Sequence, residues 1–204
     1  MTHSKNKDNT PSLHKLTQAL GVLLCLLSAL LSVPFSALAD EEASNWPIVQ
    51  SAEYGRCYLK SVPSESYGSK GQTYVYSVTA QADQLLVTYP WYSNQIWLHC
   101  AVSNGKSATG ISVVRRGPWS RGRRASAQDL ALAFAFNGKE VKRYSSLDLA
   151  GKPDNVSASV SHYTVIEKVL GYRWINSNFY VFEILLIDGR KLAFDPTTGE
   201  RVKG

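Results

Sequence analysis

VFEILLIDGRKLAFD, residues Val181 to Asp195, reads as two strands joined by Asp188-Gly189. An Asp-Gly pair between apolar runs is a strong hairpin signal. A two-residue type I′ turn needs positive φ at both central positions, which Asp tolerates and Gly adopts without steric cost. Such a loop sets Ile187 opposite Arg190, Leu185 opposite Leu192 and Glu183 opposite Phe194. Phe182, Ile184, Leu186, Lys191 and Ala193 take the other side. Apolar residues on both sides predict an inner strand pair rather than a sheet edge. A helix is disfavoured, because β-branched and aromatic residues are frequent and Gly189 would fall in its middle. Pro196 to Gly199 is a further turn signal, after which Val202 closes a short third strand.

The same signature repeats upstream. Asp40 to Gln50 is an extended lead-in. Strands are predicted at Arg56–Val62, Thr73–Thr79, Gln84–Tyr89, Gln95–Val102 and Ile111–Arg115. The loop PSESYGSKG (63–71), the turn PWYSN (90–94) and the turn Ser103–Lys106 separate them. Leu130 to Phe136 alternates large residues with alanine and leads through Asn137-Gly138 into Val141–Tyr144. Ser126-x-x-Asp129 resembles a helix capping box, but the alternation and the matching partner favour a strand. Tyr144–Asp154 reads as loop. Val156–Val169 reads as a strand long enough to bend or break once, and Leu170–Asn178 as a turn. About ten to twelve short strands follow, with no long helix and no βαβ pattern. The fold class is all-β: an antiparallel sandwich or twisted meander, with a small propeller-like stack of sheets as the alternative.

The amino terminus carries an export pattern. Lys5, Lys7 and Lys15 precede an apolar run from Ala19 to Leu31, Pro34 breaks it, and Ala37-Leu38-Ala39 fits a small-x-small cleavage site. Residues 1–39 are therefore expected to be a signal peptide and 40–204 a single β domain in the periplasm or outside the cell. The alternative is an uncleaved anchor in the inner membrane, facing outward, since no charge falls between Leu16 and Ala39. Cys25 lacks the setting of a lipidated cysteine, and after cleavage no transmembrane segment is expected. Losing Lys5, Lys7, Lys15 and Asp8 takes the formal charge from +6 to +4. An excess this mild does not point to nucleic acid. Cys57 and Cys100 then remain, and in an oxidising compartment two thiols predict one disulfide.

The runs LALAFAFNGKEVKRYSSLDL (130–149), SVSHY (159–163) and DGRKLAFDPTTGE (188–200) resemble a pattern of secreted bacterial β-proteins of unknown function. The resemblance covers the chain from Leu130 onward. It implies a bacterial, exported β-protein and carries no catalytic residue to transfer.

The densest chemistry is the basic stretch Arg115, Arg116, Arg121, Arg123 and Arg124, with Trp119 among them. Guanidinium groups pair with phosphate or carboxylate, and an indole stacks on a flat or sugar ring. Gly117 and Gly122 would let the backbone approach a ligand. Outside the cytoplasm the partners of such a loop are lipid phosphate, acidic polysaccharide or an acidic protein surface. The plainer alternative is a solvated loop whose arginines pair with local acids such as Asp129. Trp91, within Tyr89-Pro90-Trp91-Tyr92, is either a second platform or a lid on the core. His99 and His162 lack metal-ligand spacing, and no cofactor motif is present. No G-x-S-x-G elbow occurs, Ser161 and His162 alternate to opposite faces, and nothing pairs Glu167, Glu183, Asp148 or Asp195. A non-enzymatic binding or scaffolding module of the cell envelope is thus the leading expectation. A periplasmic hydrolase with a site assembled from dispersed residues is the alternative.

Overall fold

Period-two patterning becomes thirteen strands among the described residues, against the ten to twelve expected. The structure, a computed structural model, describes residues 42–52, 56–102, 108–176 and 179–202. The leader 1–39 and the Ser103–Lys106 turn lie outside the described residues. The first sheet holds β1 (Ile48–Ser51), β2 (Cys57–Pro63), β3 (Gly71–Ser77) and β4 (Gln84–Tyr89) in sequence order. The second holds β5 (Ile96–Val102), β6 (Ala108–Arg116), β7 (Leu130–Phe136) and β8 (Lys139–Ser145), again in sequence order. A small ribbon pairs β9 (Ser157–Ala158) with β10 (Tyr163–Thr164). The third sheet is β11 (Ile166–Asn176), β12 (Phe179–Leu186) and β13 (Lys191–Phe194). Neighbouring strands are antiparallel in every pair.

The sandwich has three layers, because both faces of the second sheet are buried. On one side Ile96, Leu98, Ile111, Val113 and Ala135 pack with Cys57, Leu59, Val75 and Tyr89 of the first sheet. On the other, Val114, Leu132 and Phe134 pack with Phe182, Ile184, Leu186 and Phe194 of the third. Alternation on a pleated strand sends successive side chains to opposite faces, so one strand serves two cores. A disulfide joins Cys57 on β2 to Cys100 on β5, Cα to Cα 6.5 Å, and ties the first layer to the second.

The two hairpin dipeptides behave differently. Asn137 and Gly138 both have positive φ (47° and 87°), and Phe136 pairs with Lys139, as a two-residue type I′ turn requires. Asp188-Gly189 does not form the expected type I′ turn. Gly189 alone has positive φ (82°), and the loop spans Ile187, Asp188 and Gly189. Leu186 N donates to Arg190 O at 2.9 Å and Gly189 N to Leu186 O at 3.0 Å, the three-residue hairpin with a glycine bulge. The register therefore shifts by one: Phe182 faces Phe194 and Glu183 faces Ala193. Burial decides this, since the expected register would turn Phe194 out of the core in which it is fully enclosed. β12 is inner, but β13 is an outer strand whose far side carries, among the described residues, only the bridge from Phe194 to Arg201, where the short third strand was expected.

Other expectations change as well. Part of the lead-in is β1. Tyr144–Asp154 contains the helix α1 (Ser146–Ala150), and the capping box sits at Ser145-x-x-Asp148, not at Ser126. Ser145 N donates to Asp148 Oδ2 at 2.8 Å and Asp148 N to Ser145 Oγ at 3.1 Å. Val156–Val169 breaks twice, giving β9, β10 and the start of β11. β11 then runs on through Leu170–Asn176, because register shifts and a positive-φ Gly171 absorb the irregularity as bulges.

Candidate functional site

The segment after β6 is not a free loop. Gly117 N donates to Ala131 O, Tyr163 N to Ser120 O and Gly122 N to Ser161 O, and Arg121 forms a backbone bridge with His162. The chain from Gly117 to Arg124 thus runs beside the β9–β10 ribbon. Between them and the ends of β5 and β6 lies a cleft of about 370 Å³, lined among others by Glu42, Gln95, Arg116, Trp119, His162 and Thr164.

The arginines separate into distinct environments. Arg115 does not belong to the exposed patch expected from the sequence. Its position on β6 turns it inward, where it is 7% exposed, lies over the ring of Trp91 and meets Glu140 Oε2 at 3.5 Å. Burial pulls its pKa below the usual arginine value, though an arginine remains charged. Trp91 is likewise no platform. It stacks on Tyr89 at 4.9 Å within the core, and Tyr92 is buried beside it, its hydroxyl donating to Trp46 O at 2.9 Å.

Arg116, one residue on, faces the other way and lines the cleft. Its Nη1 donates to Gln95 Oε1 and its Nη2 to Thr164 Oγ1, each at 3.0 Å. Both acceptors are neutral, and among the described residues no carboxylate pairs with it. Burial, with no opposing charge, lowers its pKa. A partly desolvated cation without a counter-ion is an unfavourable arrangement that an incoming anion relieves. Trp119 is 38% exposed and packs against His162, ring centroids 3.9 Å apart. Arg121 pairs with Glu42 Oε2 at 2.7 Å and Arg124 with Asp154 Oδ1 at 2.9 Å. Arg123 is exposed and makes no side-chain hydrogen bond or ion pair with the described residues. The local acids are therefore Glu140, Glu42 and Asp154. Asp129 instead accepts the Tyr163 hydroxyl at 2.5 Å; burial first, and this hydrogen bond second, raise the pKa of Tyr163.

Gly117 approaches its own chain rather than a ligand: a Cβ there would overlap the Leu130 carbonyl. Gly122, with φ 97°, has open space around it. Ser159 places its hydroxyl at the His162 ring. Its Oγ lies 2.6 Å from Nδ1 and also bonds the His162 backbone N and O, locking the turn between β9 and β10. Sequence spacing could not single out Gln95, Thr164 or Glu42, because the cleft draws on chain segments far apart in sequence. No family of known proteins, no curated protein and no solved structure matches this chain.

Proposed function

We propose that the protein is an exported, non-enzymatic binding module of the bacterial cell envelope that holds an anionic group of a partner in the cleft at Arg116. The observation that carries this reading is Arg116 itself, a partly buried guanidinium bonded only to neutral acceptors at the wall of a cleft. Trp119 beside it offers an apolar face for the body that carries the anion. Arg123, exposed on the same segment, adds a long-range attraction that salt screens. The leader pattern and the disulfide support a location outside the cytoplasm, and no described helix is long and apolar enough to cross a membrane. Lipid phosphate and acidic polysaccharide share the required chemistry.

The test is retention of the mature chain on heparin and on vesicles with and without phosphatidylglycerol. Arg116→Gln should remove most retention, whereas Arg124→Gln, whose partner is Asp154, should leave it unchanged. Equal retention of all three proteins overturns the reading. The Ser159–His162 contact favours a second reading, a hydrolase. Against it, Ser159 is tied to its own turn and does not line the cleft. Labelling of Ser159 by a fluorophosphonate probe would favour the hydrolase.

A further inference from the structure

Glu42 to Pro47 run along one wall of the cleft before β1. Asn45 anchors this strap. Its backbone N–H donates to Ser66 O at 2.7 Å, and its Nδ2 donates to the carbonyls of Glu65 (3.2 Å) and Gly68 (3.1 Å). Tyr92 Oη holds the next residue through Trp46 O. Ala43 and Ser44 are exposed, and beyond them Glu42 reaches back to Arg121. The carboxylate is the enclosed partner, 18% exposed, whereas the Arg121 side chain is 76% exposed. An ion pair with a solvated arginine is weak in water. The tether at Asn45 keeps the carboxylate there by raising its effective concentration.

We infer that Arg121, beside the cleft that Glu42 and Arg116 line, is a receptor for a carboxylate carried on an extended peptide, and that Glu42 occupies it as an internal competitor. This rests on the anion-binding reading and names its ligand. The strap is the worked example: a chain without regular structure, fixed by amide-to-carbonyl hydrogen bonds, delivers one carboxylate to a loop arginine. Arg116, which lines the adjoining cleft together with Glu42, is open to a second acidic group. Glu42, carried on an extended chain, already lines this cleft of about 370 Å³, which favours a peptide over a lipid headgroup. Asn45 and Trp46 keep their own anchors, so an external acidic segment can displace the Glu42 carboxylate without disturbing β1.

The experiment uses the mature chain and a fluorescein-labelled peptide with the sequence of Glu42 to Pro47, read by anisotropy. Glu42→Gln should bind the peptide about three- to tenfold more tightly than the unaltered protein, as removal of a tethered competitor requires. A peptide with Gln at its first position should bind neither protein, and Arg121→Gln combined with Glu42→Gln should abolish the gain. Equal affinity of the Glu42→Gln and unaltered proteins overturns the inference, as does equal binding of the Glu and Gln peptides. Heparin retention that depends on Arg116 without any peptide binding defeats this inference alone. Loss of both defeats the anion-binding reading with it. Vesicle binding that the peptide does not compete for assigns the cleft to phosphate and overturns the peptide assignment.

Discussion

The guanidinium of Arg115 lies 4.6 Å from the ring centroid of Trp91, and both side chains are buried. A cation and an aromatic that look like a ligand's contacts in the sequence are instead each other's contacts inside the protein. Glu140, the carboxylate that meets Arg115, also holds Arg143 at 2.5 Å. Loss of Arg115 therefore leaves Glu140 paired, and what disappears is chiefly packing against Trp91. Arg115→Ala should lower the unfolding free energy by about 2–4 kcal/mol, as for a large side chain removed from a core. Arg115→Met, which keeps the volume, should cost less than about 1.5 kcal/mol. Urea unfolding of the two variants checks this. A methionine variant as damaged as the alanine variant would show that the charge itself is required.

Gly117 and Gly122 should respond in different ways. Gly117→Ala drives a methyl group into the Leu130 carbonyl and should cost about 1–3 kcal/mol through backbone displacement. Gly122→Ala meets no neighbour, and only its left-handed conformation opposes it, at about 1–2 kcal/mol. Thermal melts together with heparin retention separate the two. Gly122→Ala should keep its retention, and Gly117→Ala should lose retention and stability together, because the segment bearing Arg116 and Trp119 shifts.

The sheets were legible because they are local. Each larger sheet pairs strands in sequence order, so alternation and turn residues are sufficient, and Leu130–Phe136 and Gln84–Tyr89 fall where the pattern puts them. Three-dimensional burial overrode turn chemistry at Asp188-Gly189, where the enclosure of Phe194 set the register. α1 was hidden because five residues carry too little periodicity, although Ser145-x-x-Asp148 was a readable cap. The arginine run could not reveal the separate environments of its members. Adjacent strand residues point oppositely, so Arg115 and Arg116 part into core and cleft. Glu42, Gln95 and Thr164 reach the cleft through tertiary packing alone.

The disulfide should be the strongest single contributor to the attachment of the first sheet. Cys57 and Cys100 close a loop of 43 residues, for which chain entropy gives about 4 kcal/mol as an upper guide. Replacing both by serine should lower the urea midpoint, and dithiothreitol should bring the unaltered protein to the same value. A midpoint indifferent to reductant would contradict a formed bond.

Glu183 supplies an acid-sensitive element. Its side chain is 5% exposed and bonded by Arg173 at 2.5 Å and Lys191 at 2.7 Å. The Arg173 hydrogen bond, opposed by burial and aided by Lys191, holds its pKa below the ordinary value of about 4.3. A carboxylate depressed in the folded state contributes its stability above the unfolded pKa. That contribution declines as pH falls through the folded one. Stability should therefore drop below about pH 4.3, and Glu183→Gln should flatten that limb while costing about 1–3 kcal/mol at neutral pH. Calorimetry between acidic and neutral pH reads both effects, and an unchanged acid limb in the variant would assign it to other carboxylates.

Among the described residues a disulfide joins only two of the three layers. Mechanical load or partial unfolding that strips β11–β13 from the middle sheet breaks no bond, so that layer can peel away and return while the other two stay clamped. The disulfide among the described residues thus rivets the part of the molecule that also carries the strap.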